Sequence, residues 1–299
     1  MVLLRQNEIE RMVLSISEKQ RKESLIEYHK RSSLTSTTLG ITRERYCPHE
    51  IIVSLTTFGD RIYSVHLAIE SIMLGSMKPN RIILWLSEEE FHNKPIPAIL
   101  KQQQARGLEI YYCKDIRSYK KIIYTLHENP ESCIITIDDD AIYESDIINR
   151  LVNSHIEHPN AICACRVHRM VVDTTGHPVT YNKWKHCISD SDVSPLNFAT
   201  GCGGILYPPH SLPPEALNEK KFMELCPSAD DVWFYAMALM SNTPVIKVPT
   251  PNPMGIHTDL PSSLYQPLSF TNTCATDCQN DAQINAVLNH YNLYSCIAV

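Results

Sequence analysis

Cys133-Ile-Ile-Thr-Ile-Asp-Asp-Asp-Ala-Ile-Tyr143 is a short apolar run that ends abruptly in three carboxylates. The β-branched residues Ile134, Ile135, Thr136 and Ile137 read as a buried strand. Continued through the acidic residues, strand alternation points Asp138 and Asp140 to one side and Asp139 to the other. Two carboxylates so placed repel each other unless a cation lies between them. A hard divalent ion accepts one or two such groups and completes its shell with water and phosphate oxygens. The carboxyl end of a strand is also where open α/β sheets place their ligands. The plain structural alternative is a solvated acidic turn, or a carboxylate capping a helix that starts at Ala141.

Working outward, the segments before this run alternate in type. Glu50-Ile-Ile-Val-Ser-Leu-Thr-Thr-Phe58, Arg81–Leu86 and Leu108–Cys113 are apolar and β-rich, whereas Tyr63–Ser76, Ala98–Arg106 and Tyr119–His127 have helical spacing. In Tyr63–Ser76 the apolar face carries Val65, Ile69, Ile72 and Met73, and Pro79 stops the helix. Strands alternating with helices predict βαβ units, a parallel sheet and an α/β fold. After the acidic run we expect a helix from Asp146 to His155, a strand over Ala161–Val167 and a polar irregular stretch over Val171–Pro195. A glycine-rich segment, Asn197–Pro208, follows, then a helix over Asp230–Met240 and a strand over Val245–Val248. A proline-rich loop, Pro249–Leu268, leads to a last helix over Asp281–Tyr291. No internal repeat is present.

Residues 1–45 read as an N-terminal helical extension and 46–299 as the main domain. Ile9, Met12, Val13 and Ile16 recur at helical spacing, a second helix covers Glu23–Lys30, and Ser32–Thr38 is a polar linker. Such helices either dock on the main domain or offer a peripheral membrane or protein contact. The chain has 299 residues with 43% hydrophobic and 20% charged content, ordinary for a globular protein with a substantial core. A net charge of −6 argues against a nucleic-acid surface. No apolar window is long enough for a membrane span. Arg5, Glu8, Glu10 and Arg11 stand where a signal peptide needs an apolar core, and the odd count of 11 cysteines suits reduced thiols. The expected location is therefore cytoplasmic, with the inner membrane face as a possible station for the helices.

Several constellations carry chemistry. The first strand ends in Ser54, Thr56, Thr57, Phe58 and Arg61, where hydroxyls and an aromatic ring can meet a base and ribose and a guanidinium can meet phosphate; turn chemistry is the alternative. Trp85-Leu-Ser87 ends the second strand beside them. Arg117, Lys120 and Lys121 precede the acidic strand and can offset a diphosphate, although a solvated cationic face has the same composition. Asp230 and Asp231 open a helix; there they suit the macrodipole, and there a carboxylate can also deprotonate a hydroxyl. Gly201-Cys-Gly-Gly204 lets backbone approach a ligand or makes a turn. Asn197, Thr200, Tyr181 and Trp184 are further sugar-contact candidates, with core packing the alternative for the aromatics. His257 is a lone imidazole in the proline-rich loop. His155, His158, Cys163, Cys165 and His168 are zinc-ligand types, as are Cys274 and Cys278, but neither set matches a recognised ligand spacing.

Ile135-Thr-Ile-Asp-Asp-Asp140 resembles the DXD motif of GT-A glycosyltransferases, and Ser54-Leu-Thr-Thr-Phe58 resembles family-2-like members. Tyr119-Lys-Lys121 ahead of the acidic strand is similar to bacterial enzymes of that kind. The likeness covers roughly residues 50–260. It implies a GT-A-like, Rossmann-like nucleotide-binding sheet and a nucleotide-sugar pocket formed by Thr56, Thr57, Arg61, Ser87, Arg117, Lys120, Lys121, Asp138, Asp139, Gly203 and Gly204. It also implies Mn²⁺ or Mg²⁺ held by Asp138, Asp140 and His257, and a general base at Asp231 or its neighbour Asp230. The implied reaction is inverting transfer of a sugar, UDP-linked by default, to a hydroxyl of a glycan or glycolipid in bacterial surface polysaccharide synthesis. A nucleotidyltransferase would use a similar sheet, but the Gly- and Arg-rich loop such enzymes carry after the first strand is not evident. A non-catalytic carbohydrate-binding or scaffold protein is the third reading.

Overall fold

The computed structural model describes residues 2–252, 255–261, 272 and 278–298, with side chains from residue 15 onward. In chain order the strands of the main sheet are β1 (Ile51–Thr56), β2 (Arg81–Ser87), β3 (Leu108–Cys113), β4 (Cys133–Thr136), β6 (Ile162–Ala164), β9 (Ile205–Tyr207) and β10 (Val245–Lys247). They lie side by side in the order β10-β6-β9-β4-β1-β2-β3. Two small antiparallel pairs complete the β structure: β5 (Ala141–Ile142) with β11 (Thr258–Asp259), and β7 (Val167–Arg169) with β8 (Asn197–Ala199). The expected α/β architecture, a Rossmann-like sheet flanked by helices, is present.

Residues 51–55 of β1 are all buried, as befits a central strand covered on both faces. Period-2 alternation assigns Ile51, Val53 and Leu55 to one apolar layer, which includes Val65, Ile69 and Ile72 of α2 (Val65–Met73). Ile52 faces the other way, with Ile83 and Trp85. Each fully buried side chain of this kind stabilises the fold by about 1.5–3 kcal/mol.

The sheet is mixed, whereas the alternating segments predicted a parallel one. β1, β2, β3 and β4 are parallel, but β9 runs antiparallel to β4 and β6. The reversal has a direct consequence. With Thr136 opposite Ile205, the glycine turn just before β9 arrives at the carboxyl end of β4, beside the acidic residues.

The N-terminal segment is one helix, α1 (Val2–Thr35), rather than two, because no Gly or Pro interrupts it. Its second half docks on the main domain. Leu25 and Ile26 pack against Leu67, Ile142 and Leu260. Ser32 Oγ donates to Glu70 Oε1 at 2.7 Å, and Glu70 Oε2 accepts from Arg106 Nη1 (2.7 Å) and Gln103 Nε2 (3.0 Å). Glu70 is fully buried, so this network satisfies a charge that would otherwise be costly. The side chains of Ile9, Met12 and Val13 lie outside the described residues, and Ile16 is exposed. No helix among the described residues is long and apolar enough to cross a membrane.

The expected helix over Tyr119–His127 divides into a 3-10 turn (Arg117–Lys121) and α5 (Ile123–Glu128). Arg117 has a left-handed φ of 59°, and the turn draws both Lys120 and Lys121 into the interior. The expected strand over Ala161–Val167 breaks into β6 and β7, which belong to different sheets. Helices α6 (Ile147–Glu157), α8 (Asp230–Met240) and α9 (Gln279–His290) fall close to their expected places, while α7 (Glu219–Leu225) was not anticipated. Much of the proline-rich loop, and Cys274 beyond it, lie outside the described residues.

Candidate active site

β4 ends its ladder at Thr136, and one more bond, from Ile137 N to Ser54 O at 3.2 Å, carries the backbone to the edge of the acidic stretch. The chain then turns at Asp139 and Asp140 and enters β5. Leu260 N donates to Asp140 O at 2.7 Å, so the β5–β11 pair holds the turn from its far side. Strand alternation therefore does not continue through the aspartates, and the expected split of Asp138 and Asp140 from Asp139 is replaced by another grouping. Arg61 Nη1 donates to Asp139 Oδ1 and Asp140 Oδ2, both at 2.9 Å. Thr57 Oγ1 donates to Asp139 Oδ2 at 2.6 Å. Asp138 turns instead to Lys121, whose Nζ lies 2.9 Å from Oδ1.

Lys121 also reaches Asp230 Oδ2, at 3.1 Å. Asp230 and Asp231 occupy the first turn of α8, and Asp231 Oδ1 accepts from Gly201 N at 3.0 Å. A Cβ on Gly201 would stand 2.6 Å from Lys121 Nζ and 3.2 Å from Asp231 Oδ1. The glycine is thus needed for close approach, not for an unusual φ. Tyr143, fully buried, completes the frame: its hydroxyl accepts from Asp138 N (2.8 Å) and donates to Cys202 O (3.0 Å). It ties the acidic turn to the glycine turn.

Four carboxylates, from Asp138, Asp139, Asp140 and Asp230, thus pair with the two cations Arg61 and Lys121, and a fifth, Asp231, lies beside them on Gly201 N. The surplus negative charge shows in their proton affinities. Burial first, then Asp138 and Asp139, push Asp140 up to about 7 against the pull of Arg61. Burial and Asp230 push Asp231 up to about 7, with Lys121 opposing. Burial also raises Asp139, although Arg61 and Thr57 oppose it. For Lys121 burial works against the charged form, but Asp138, Asp230 and Asp231 outweigh it and hold the ammonium well above its usual range. Hard oxygen donors with excess negative charge are the chemistry a divalent cation takes, and Asp138 and Asp140 are each partly exposed.

The structure brings Thr57, Arg61, Lys121, Asp138, Asp139, Asp140, Asp230 and Asp231 into this one network. The other expected site residues are engaged elsewhere. Thr56 Oγ1 donates to Trp85 O at 2.8 Å, fastening β1 to β2. Ser87 caps α3 (Glu88–Phe91), accepting from Glu90 N and donating to Glu89 Oε2. Arg117 Nη1 donates to Pro227 O at 2.7 Å, and Lys120 pairs with Asp115. Trp85 is buried with its indole N–H on Thr125 Oγ1, so the ring is core rather than a platform for a base. Gly203 and Gly204 shape the turn, Gly204 with φ 88°. Asn197, Tyr181 and Trp184 are buried structural groups, with Asn197 Nδ2 donating to Val245 O.

His257 is the clearest departure from expectation. Register sets Thr258 opposite Ile142, and His257 Nδ1 lies 3.5 Å from Glu144 Oε2, with the ring in a groove lined by Lys22 and Leu25 of α1. The ligand atoms of Asp138, Asp140 and His257 do not all lie within 4.8 Å of one another. The sequence reading gave Tyr143 no role and did not distinguish Gly201 within its glycine run. A tyrosine inside an apolar run next to three aspartates was the available sign for the first.

No family model matches the chain, and no curated protein matches it. Among solved structures it is similar to the mannosyltransferase PcManGT from Pyrobaculum calidifontis in complex with GDP-Man and Mn²⁺, at 12% identity and a TM-score of 0.44. That match covers 76% of this chain and 63% of the mannosyltransferase, so the chain spans less than two thirds of that protein's length. A CMP:2-keto-3-deoxy-manno-octonic acid synthetase complexed with CTP is 10% identical, with a TM-score of 0.39, over 74% of this chain and 97% of its own. HddC from Yersinia pseudotuberculosis is 16% identical, with a TM-score of 0.31, over 55% and 78%. Likenesses this distant carry no argument about substrate or mechanism.

Proposed function

We propose that this chain is a metal-dependent glycosyltransferase of the GT-A type, in which residues 46–299 carry catalysis and 1–45 form an extension bracing the site. The observation that carries this reading is the meeting of the acidic turn and the head of α8 on Lys121. An enzyme that transfers a sugar from a nucleotide diphosphate needs two kinds of carboxylate at adjoining positions. One kind faces the diphosphate through a cation, and the other faces the acceptor hydroxyl. Asp138 and Asp140 fit the first role, with Mn²⁺ or Mg²⁺ supplying charge neutralisation for the leaving diphosphate. Arg61 fixes the turn through Asp139 and Asp140.

Asp231 fits the second role better than Asp230. Asp230 is paired with the Lys121 ammonium, whereas Asp231, raised to about 7, has a proton affinity suited to a base at neutral pH. The acceptor O–H gives its proton to this carboxylate as its oxygen attacks the anomeric carbon opposite the leaving phosphate, inverting that centre. UDP is the proposed donor nucleotide, and the proposed acceptor is a glycan or glycolipid of bacterial surface polysaccharide synthesis.

Incubation with a panel of nucleotide sugars, a glycan acceptor and Mn²⁺ or Mg²⁺ tests the reading. Release of a nucleoside diphosphate that depends on acceptor, metal and Asp231 supports it. Release of pyrophosphate from a nucleoside triphosphate and a sugar phosphate would instead make the protein a nucleotidyltransferase. Sugar binding indifferent to metal and to Asp231→Asn would indicate a non-catalytic protein.

A further inference from the structure

The zinc-ligand types noticed around residues 155–168 do not converge with one another. Among the described residues, one set of three ligating side chains does meet, and it draws on three distant parts of the chain. Cys47 comes from the loop before β1, Cys133 opens β4, and His155 lies in the last turn of α6. Their ligating atoms all lie within 4.8 Å of one another. We propose that Cys47, Cys133 and His155 form a structural zinc site that fastens the segment preceding β1 to the sheet and to α6.

Geometry and donor chemistry support the assignment. Cys133 Sγ and His155 Nε2 are 3.4 Å apart. Tetrahedral zinc, with bonds of about 2.3 Å to sulfur and about 2.0–2.1 Å to nitrogen, sets these atoms roughly 3.5 Å apart. The His155 ring is 4% exposed, and its Nδ1 has no hydrogen-bond partner. A thiol is thus the principal polar neighbour of a buried imidazole, a weak arrangement that a metal at Nε2 would strengthen. Cys47 Sγ donates to His49 O at 3.3 Å, and Cys133 is fully buried. Binding exchanges the two thiol protons for one Zn²⁺, so two thiolates, one neutral imidazole and the cation make a centre without net charge. Cys47 is half-buried, which leaves the fourth coordination position within reach of water.

The site lies at the opposite end of β4 from the acidic turn. Five residues of extended chain, at about 3.3 Å each, separate Cys133 from Asp138 by roughly 16 Å. Its role is therefore to hold the fold rather than to take part in transfer.

The full-length protein, purified without chelator and dialysed against metal-free buffer, should retain equimolar zinc by elemental analysis. Its cobalt-substituted form should show the thiolate-to-cobalt charge-transfer and d–d bands of a tetrahedral site. Cys47→Ser, a change at a half-buried position, should abolish both signals and lower the melting temperature by several degrees, and His155→Gln should do the same. Cys296→Ser, at an exposed cysteine, should retain them. Zinc content unchanged by Cys47→Ser would overturn the proposal, as would a protein that retains no zinc after loading. So would a Cys47–Cys133 disulfide in the native protein, seen as the loss of two hydrogens and reversed by reductant.

Discussion

Asp138 and Asp230, far apart in the sequence, grip the same ammonium: Lys121 Nζ lies 2.9 Å from one carboxylate and 3.1 Å from the other. One belongs to the turn after β4, and the other to the first turn of α8. The lysine is almost wholly buried between them. Removing it leaves both carboxylates partly desolvated without their partner. Lys121→Met should therefore destabilise the protein by about 3 kcal/mol, measured by denaturant unfolding, because breaking a buried ion pair strands its charges. A loss under about 0.5 kcal/mol, the scale of an ordinary surface substitution, would mean that the lysine does not bind the site together.

Asp138→Asn and Asp140→Asn should each lower kcat by at least about 10²-fold, the scale of removing an electrostatic stabiliser of the transition state. The far-ultraviolet circular dichroism should be unchanged. Full activity in Asp140→Asn would exclude the metal role given to that carboxylate.

Gly201→Ala tests the close approach of the glycine turn to the site. Its Cβ would stand 2.6 Å from Lys121 Nζ and 3.2 Å from Asp231 Oδ1, so the buried, ion-paired ammonium must shift. We expect a stability loss of about 1–3 kcal/mol, together with a fall in activity of about 10-fold or more as both charges shift. Parallel melting and turnover measurements check the two halves of this expectation.

The Asp140 carboxyl, raised to about 7, gives a pH signature in the metal-free protein. The folded state binds this proton more tightly than the unfolded state. The group therefore favours folding at low pH, and that contribution is lost as pH rises through the folded value. Asp140→Asn removes the dependence. Relative to wild type, the variant should be increasingly stabilised between roughly pH 4 and pH 7, with the difference levelling off above that. The difference in melting temperature between the two proteins isolates this effect from the buried histidines, which titrate in both. A difference that stays constant with pH would show that Asp140 is not raised.

Asp231 supplies a second pH signature, in catalysis. With its carboxyl at about 7, kcat/KM should fall as pH drops below that value. Asp231→Asn should lower activity by about 10²–10⁴-fold and remove the acidic limb from what remains. Retention of the limb in the variant would assign the base elsewhere.

The strands on the amino-terminal side of the acidic run were legible because β1, β2 and β3 are rich in β-branched, aromatic and other apolar residues and are separated by segments of helical spacing. The reversal of β9 was not. Ile205–Tyr207 is too short for its direction to be read, and only its pairing with Thr136 reveals it. The same limit governs the site. The aspartates themselves announce a cluster of charge, but strand alternation was carried past Thr136, where the ladder no longer enforces it. Lys121 was legible as a cation near the acidic strand, whereas Ser87 and Arg117 were drawn into capping and backbone bonds that composition cannot distinguish from ligand contacts. His257 lies three residues before Leu260, the neighbour of Asp140 in the β5–β11 pairing, and only that pairing shows it facing Glu144. Cys47, Cys133 and His155 share no local spacing, so no sequence motif could connect them.

The most direct test of the central claim is thermal melting with UDP, GDP, CDP and ADP, each with and without Mn²⁺, on wild type and Asp140→Asn. A ligand at 100 times its dissociation constant stabilises by about 2.7 kcal/mol, enough to raise the melting temperature by several degrees. The account predicts a rise that requires both one nucleoside diphosphate and the metal, and that is absent in Asp140→Asn. No rise with any pair, from a cooperatively melting sample, would contradict it.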